Sequence, residues 1–334
     1  MDNGKQTLVF ASDGGIPYSI YWGSRLPKNE LLDQIGLSDL NDLTSSMMDK
    51  LPDISLCPES SVLFQGQPGL VIFHPDGTQL RPSFNFKKAE ISLNSLRFIC
   101  TSEQFQLTLL IKAQKTGVFS LQTLLESDEP VRLHWLAAPV LPGSQASNEM
   151  IDFHGKWTRE FQPNRIRWTP GIRQREAING RSGHEHPPFL IVPERGCTNS
   201  KGTAFAFHYA WSGGHRMVAE ELPDGRRQIQ FGNVQGAEPH SATHFETAEL
   251  IVGYSEDGLN GVAVSFQKDF RDRIVTWPNP KRPRPVHYNC WEAVYFEHNL
   301  KDLMTIADKV AKYGAERFIL DDGWFEKRNN DKTS

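Results

Sequence analysis

The residues best suited to chemistry lie near the end of the chain, in Phe318-Ile319-Leu320-Asp321-Asp322-Gly323-Trp324-Phe325. An apolar run of strand type ends there in two adjacent carboxylates, a glycine and two aromatics. Burying an unpaired carboxylate is costly, so two in succession at a strand end mark either a site or a solvated turn. As a site, the pair can accept hydrogen bonds from two neighbouring hydroxyls while an aromatic face packs on C–H groups, which suits a sugar. As a turn, Asp-Asp-Gly would only open a helix or bend the chain into water. Trp324 and Phe325 favour the site, because large aromatics are seldom crowded onto a plain turn. Thirty residues earlier, Asn289-Cys290-Trp291-Glu292 ends another apolar stretch, and Trp291 is either a second wall of the same pocket or a core aromatic. Glu292 has the chemistry of a general acid or base, but no partner for it is evident, and a solvated loop carboxylate is the plainer reading.

Two further stretches carry functional residue types. His184-Glu185-His186 places two histidines at i and i+2, on one face if the segment is a strand, as in metal-binding cupin-like sandwiches. A metal needs a third and often a fourth ligand, and His208, His215, His240 and His244 show no spacing that singles one out. The alternative is a polar loop held by Arg173, Arg175 and Arg181. Trp211-Ser212-Gly213-Gly214-His215 reads as a loop that either closes a hairpin or projects toward a neighbouring surface.

The elements that must position these residues fall into two grammars. Up to about residue 275 the apolar period is two: Phe105, Leu107, Leu109 and Ile111; Val131, Leu133 and Trp135; Phe205, Phe207 and Tyr209. Such alternation predicts strands with one buried face. Pro75-Asp76-Gly77 and Pro223-Asp224-Gly225 suit tight hairpin turns. One short helix is expected over residues 38–48, where Leu40, Leu43 and Met47 share a face. Many strands and few helices predict a large antiparallel sandwich. Pro278, Pro280, Pro283 and Pro285 then exclude helix and central strand alike. Beyond them, a strand over 286–290, a helix capped by Asn299 and closed by Gly314, and a strand over 317–320 form one β-α-β unit with parallel strands. The expected domains are thus 1–277, a linker at 278–285, and 286–334. Parallel β/α architectures place sites at the carboxyl ends of strands, where Trp291 and the Asp321/Asp322 pair fall.

Composition narrows the classes. The chain has 334 residues, 38% hydrophobic and 10% aromatic, with a net charge of −4. Its basic residues do not cluster outside Lys281-Arg282-Pro283-Arg284, so no nucleic-acid partner is expected. No stretch is long and apolar enough for a membrane span or a signal peptide. Cys57, Cys100, Cys197 and Cys290 form no C-x-x-C motif and read as reduced thiols of a cytoplasmic protein.

The segments Asn289–Phe296 and Ala315–Phe325 closely resemble glycoside hydrolase family 36, the bacterial α-galactosidases. Three earlier stretches resemble family motifs too: Tyr21-Trp22-Gly23-Ser24-Arg25-Leu26, the run Gly180–Phe189 containing His184, His186 and Pro187, and Ala210–His215, where Gly214 replaces a usual Asn. The resemblance implies a mainly β fold, an N-terminal β-supersandwich followed by the strand–helix–strand start of a (β/α)₈ TIM barrel. It implies a retaining α-galactosidase acting on terminal α-galactosyl groups of melibiose or raffinose-type sugars, with no cofactor or metal and with homo-oligomers in the full-length enzyme. Its nucleophile and acid/base, ~5–5.5 Å apart in a retaining pair, belong to later strands. Neither motif occurs in these 334 residues, so catalytic residues are expected beyond Ser334 and the chain alone is expected to be inactive. Asp321 and Asp322 resemble the pair that holds galactose O4 and O6, and Trp291 the tryptophan that walls that subsite. Trp324 and Trp211 are further candidates for substrate contact. Cys290 departs from the usual Thr or Asn. The alternative is a non-catalytic carbohydrate-binding or oligomerisation β domain.

Overall fold

The structure is a computed structural model that describes residues 1–27, 35, 51–237, 239, 241–325, 329, 330 and 332. The helix expected over 38–48 and His240 lie outside these residues. The chain divides into two compact units, Met1–Val275 and Thr276–Ser334.

The first unit is antiparallel β. Its larger sheet runs in the order Arg159–Arg167, Glu149–Lys156, Phe189–Pro193, Ala204–Tyr209, Leu250–Ser255, Phe119–Leu136, Phe105–Ala113, Ser95–Ser102 and Asn85–Ile91. The 18-residue strand Phe119–Leu136 is its organising element. It pairs with Phe105–Ala113 and Leu250–Ser255 along its first part, with Ala242–Glu246 in the middle, and with Leu70–Phe73 near its end. A second sheet holds Gly171–Ala177, His215–Glu221, Arg227–Asn233 and Leu141–Pro142. The two sheets share one core, in which Leu107, Leu109, Ile111, Phe207 and Tyr209 of the first meet Met217, Ile229 and Phe231 of the second. The Tyr209 and Phe231 rings stack at 6.3 Å. Each such fully buried side chain contributes about 1.5–3 kcal/mol relative to exposure.

Both Pro-Asp-Gly segments form the expected hairpin turns. Gly77 and Gly225 take φ of +95° and +85°, which side-chain-bearing residues rarely adopt. Each returns a hydrogen bond across the turn, to His74 O and Leu222 O.

Two expectations for this unit are corrected. The strand Ala204–Tyr209 is buried on both faces: Phe205, Phe207 and Tyr209 enter the main core, while Ala204 and Ala206 pack with Val262 and Phe266. The cover is a helix, Gly258–Asp269, continued by a π-helical turn Phe270–Ile274. Period-two alternation does not foreshadow this helix, because its buried positions include Ser265 and Asp269 beside Val262. Asp269 accepts from Thr116 Oγ1 at 2.6 Å and from Arg273 Nε and Nη2 at 2.9 and 2.8 Å, so a polar stripe is buried with its partners supplied.

Burial lifts the Glu59 carboxyl from 4.5 to about 7, against a smaller opposing pull from the Phe84 N–H, which donates to Glu59 Oε1 at 2.7 Å. Between those values the folded chain holds a proton that the unfolded chain has released, so stability falls as pH rises through this window. Glu59→Gln keeps the acceptor for Phe84 and removes the titration. We expect its Tm to exceed that of the wild type at pH 8 but not at pH 4.5; parallel Tm–pH curves for the two proteins would contradict this.

In the second unit, residues 276–286 form neither helix nor strand. His287–Asn289 then pairs in parallel with Arg317–Ile319, Asn289 opposite Ile319. Between them runs the helix Leu300–Lys312. Asn299 Oδ1 accepts from the amides of Lys301 and Asp302 at 2.9 and 3.3 Å, and Gly314 closes the helix at φ +94°, as their positions predict. Both strands are shorter than expected. Among the described residues, no helix is long and apolar enough to cross a membrane, and Cys57, Cys100, Cys197 and Cys290 are free.

Candidate functional site

The parallel pairing sets the ends of two strands side by side, and the chain leaves both at the same rim. Asp321 follows Arg317–Ile319 by two residues. Its Oδ2 accepts from Asn289 Nδ2 at 2.6 Å, and its Oδ1 from the Asp322 amide at 2.9 Å. Asn289 Oδ1 in turn accepts from the Trp291 amide at 2.8 Å. One asparagine side chain thus ties Asp321 and Trp291 together. The Asn289 and Asp322 donors, and more weakly the nearby His298 charge, hold the Asp321 carboxyl below the usual carboxylate range. Such a group is ionised at neutral pH and unsuited to donate a proton as a general acid. Each of its oxygens keeps a lone pair for a hydroxyl donor, so the arrangement favours binding over proton transfer.

Trp291 does not end the first strand. It opens a helical turn, Trp291–Val294, with Cys290 at the cap position. Just past the strand, the Asn289 side chain accepts the Trp291 amide, which lies at the start of this turn and is left free by the helix. The Trp291 ring meets Tyr295 and Phe296 edge-on at 5.3 and 4.9 Å. The Trp324 ring is 68% exposed, edge-on to Phe325 at 5.2 Å. Glu292 is exposed, and its Oε2 accepts from the Tyr295 hydroxyl at 3.4 Å. Asn289 and His298 escaped sequence reasoning. Asn289 stands next to the recognised Cys290-Trp291, but its partner is 32 residues away.

Trp211 belongs to the other unit, in the loop between Ala204–Tyr209 and His215–Glu221. Its carbonyl accepts from Ser182 Oγ at 3.0 Å. Gly214 sits where a Cβ would come within 2.6 Å of Val234 and 3.0 Å of the Ala177 carbonyl, a close approach that excludes the side chain of an Asn at that position without movement of its neighbours. His184 and His186 lie in a loop, not on a strand. Arg175 Nη2 donates to Glu185 O at 2.7 Å and contacts His186 Nδ1 at 2.6 Å; burial, then the Arg175 charge, lower the His186 pKa. Arg173 is engaged by Asp152. Among the described residues, no three His, Cys, Asp or Glu side chains gather as a metal-binding group. This loop and the strand Gly171–Ala177 line a cavity of about 780 Å³.

The glycosyl hydrolase family 36 N-terminal domain model matches residues 15–240, and the melibiase model matches residues 244–334. The chain belongs to glycosyl hydrolase family 36. It is 35% identical over 324 residues to an α-galactosidase of Escherichia coli, covering 94% of this chain and 45% of that protein. It is 31% identical over 221 residues to the α-galactosidase Mel36A of Lactobacillus acidophilus, covering 65% of this chain and 30% of that one. The family 36 chain therefore spans less than half the length of these curated relatives. Its fold matches that of a family 36 α-galactosidase AgaA variant from Geobacillus stearothermophilus, solved in complex with raffinose, with a TM-score of 0.82 at 23% identity over 99% of this chain and 51% of that one. The expected fold class holds: mainly β, a supersandwich followed by the start of a barrel.

Proposed function

We propose that this family 36 chain is the N-terminal part of an α-galactosidase and carries one side of its galactose subsite. The observation that carries the reading is the Asn289-centred cluster: an ionised Asp321, with Asp322 beside it and Trp291 tied to it, at the carboxyl rim of two parallel strands. Two carboxylates suit the adjacent O4 and O6 hydroxyls of galactose, and Trp291 offers an aromatic wall to its C–H face. The substrates would be terminal α-galactosides of the melibiose and raffinose type; the AgaA variant solved with raffinose is a family precedent. The retaining pair of carboxylates belongs to strands not contained in these 334 residues, and without it the covalent route has no nucleophile. We expect the purified 334-residue chain to release no nitrophenol from p-nitrophenyl α-galactoside above the buffer rate. Turnover above that rate would refute the reading that the catalytic pair lies outside these residues.

In the whole enzyme we place the protein in the cytoplasm, as a homo-oligomer in which the Trp211 loop borders a neighbouring subunit. Free, widely spaced cysteines support the first point, and the half-exposed Trp211 on a braced loop supports the second. A second reading, a sugar-binding β module, draws on the cavity beside Gly171–Ala177. Galactose titration separates the two: loss of binding on deletion of residues 286–334 supports the barrel subsite, and retained binding supports the module.

A further inference from the structure

Asn289 is exposed, ends a three-residue strand and has no part in a core, yet its side chain makes two hydrogen bonds. Because Oδ1 receives the Trp291 N–H, Nδ2 must be the atom that meets Asp321; a flipped amide would set two donors and two acceptors against each other. The register brings this about: Asn289 lies opposite Ile319, and Asp321 is the second residue beyond it. A lone aspartate at a strand end would turn freely about its χ angles, and fixing it on ligand binding would oppose affinity. Here each carboxylate oxygen is held by one donor, Asn289 on Oδ2 and the Asp322 amide on Oδ1, so the remaining lone pairs point in set directions.

We propose that Asn289 is the positioning residue of the galactose subsite, orienting the Asp321 carboxylate and the Trp291 turn as one piece before sugar arrives. This rests on the reading of Asp321, Asp322 and Trp291 as that subsite. Asn289 does not itself contact the sugar. Its amide contributes by holding ready the acceptor that does, and the titratable neighbours of that acceptor are Asp322 and His298.

Two variants of the 334-residue chain test this, each followed by ¹³C NMR titration of Asp321 and by galactose titration. Asn289→Ala removes both hydrogen bonds. We expect the Asp321 pKa to rise toward its ordinary value and galactose to bind about tenfold more weakly, the worth of one hydrogen bond to a charged group. Asn289→Asp keeps an oxygen for the Trp291 amide but sets a second carboxylate against Asp321. The pair should then titrate in two coupled steps, one above the ordinary carboxylate range, with a greater loss of affinity than in Asn289→Ala. If Asn289 only capped the Trp291 turn, Asn289→Ala would leave the Asp321 pKa at its wild-type position, and that result overturns the proposal. A wild-type chain that binds no galactose refutes the subsite reading instead. The Asp321 titration in Asn289→Ala then decides the positioning alone: an unmoved Asp321 overturns it, and a raised one upholds it.

Discussion

Asp152→Ala is expected to destabilise the Met1–Val275 unit by about 3–5 kcal/mol, the usual result of stripping one partner from a buried ion pair. Asp152 lies on the strand Glu149–Lys156 of the larger sheet, its side chain 2% exposed. It faces two arginines of the strand Gly171–Ala177 in the second sheet. Arg173 Nε and Nη2 donate to its Oδ2 at 2.9 and 2.5 Å. Arg175 Nη1 lies 2.8 Å from Oδ1 as a charge contact off the hydrogen-bond direction. The carboxylate therefore joins the two layers of the sandwich by charge where the hydrophobic core joins them by packing. Without it the Arg175 guanidinium, 11% exposed, is left short of its counter-charge in a poorly hydrated place. At about 2–4 °C per kcal/mol for a unit of this size, the Tm should drop by roughly 6–20 °C. Calorimetry of the two proteins at pH 7 measures it, and a shift under about 2 °C would mean that the arginines find other partners or water.

Asp322→Ala should weaken galactose binding by about 10- to 150-fold, because a hydrogen bond to a carboxylate is worth about 1.5–3 kcal/mol. Glu292→Gln, at an exposed carboxylate on the neighbouring turn, should leave the affinity within about twofold. The contrast matters more than either value. A neutralised Glu292 lowers the local negative charge as Asp322→Ala does, so a shared loss would point to general electrostatics, and a loss confined to Asp322 to a direct contact. Isothermal titration with galactose, and with glucose as the epimer at O4, distinguishes them. Equal binding of galactose by Asp322→Ala and the wild type would remove Asp322 from the subsite.

Much of the fold was written in local pattern. Leu107, Leu109 and Ile111 announce an inward face because a pleated strand alternates sides. The two Pro-Asp-Gly turns, the Asn299 cap and Gly314 each follow from the needs of a few adjacent residues. What escaped notice depends on partners far along the chain. The helix Gly258–Asp269 shows no clear apolar stripe because Asp269 is buried on the strength of Thr116, 153 residues away. Ala204 and Ala206 looked like outward positions because alanine is tolerated on either face, and only the helix above them makes that face a core. The motif Asp321-Asp322-Gly323-Trp324 was legible as a binding group from its composition. The role of Asn289 was not, since it needs the register of two parallel strands, which no local spacing encodes. Trp291 was assigned to a strand end because it closes the stretch that begins at Val286; the structure instead starts a helical turn there, with the Asn289 side chain accepting the Trp291 amide.

The strand Phe119–Leu136 also sets a timetable for synthesis. Its early partner, Phe105–Ala113, itself paired with Ser95–Ser102, has left the ribosome before it, but the edge that receives Ala242–Glu246 and Leu250–Ser255 must wait for some 120 further residues. At translation rates of about 5–20 residues per second, that edge stays open for roughly 6–24 s in every nascent chain. During this time the strand carrying Leu121 and Leu125, fully buried in the finished protein, presents one unpaired edge to whatever is nearby. A chaperone that recognises extended apolar segments would find a client site here, and slow codons between residues 136 and 242 would lengthen the exposure.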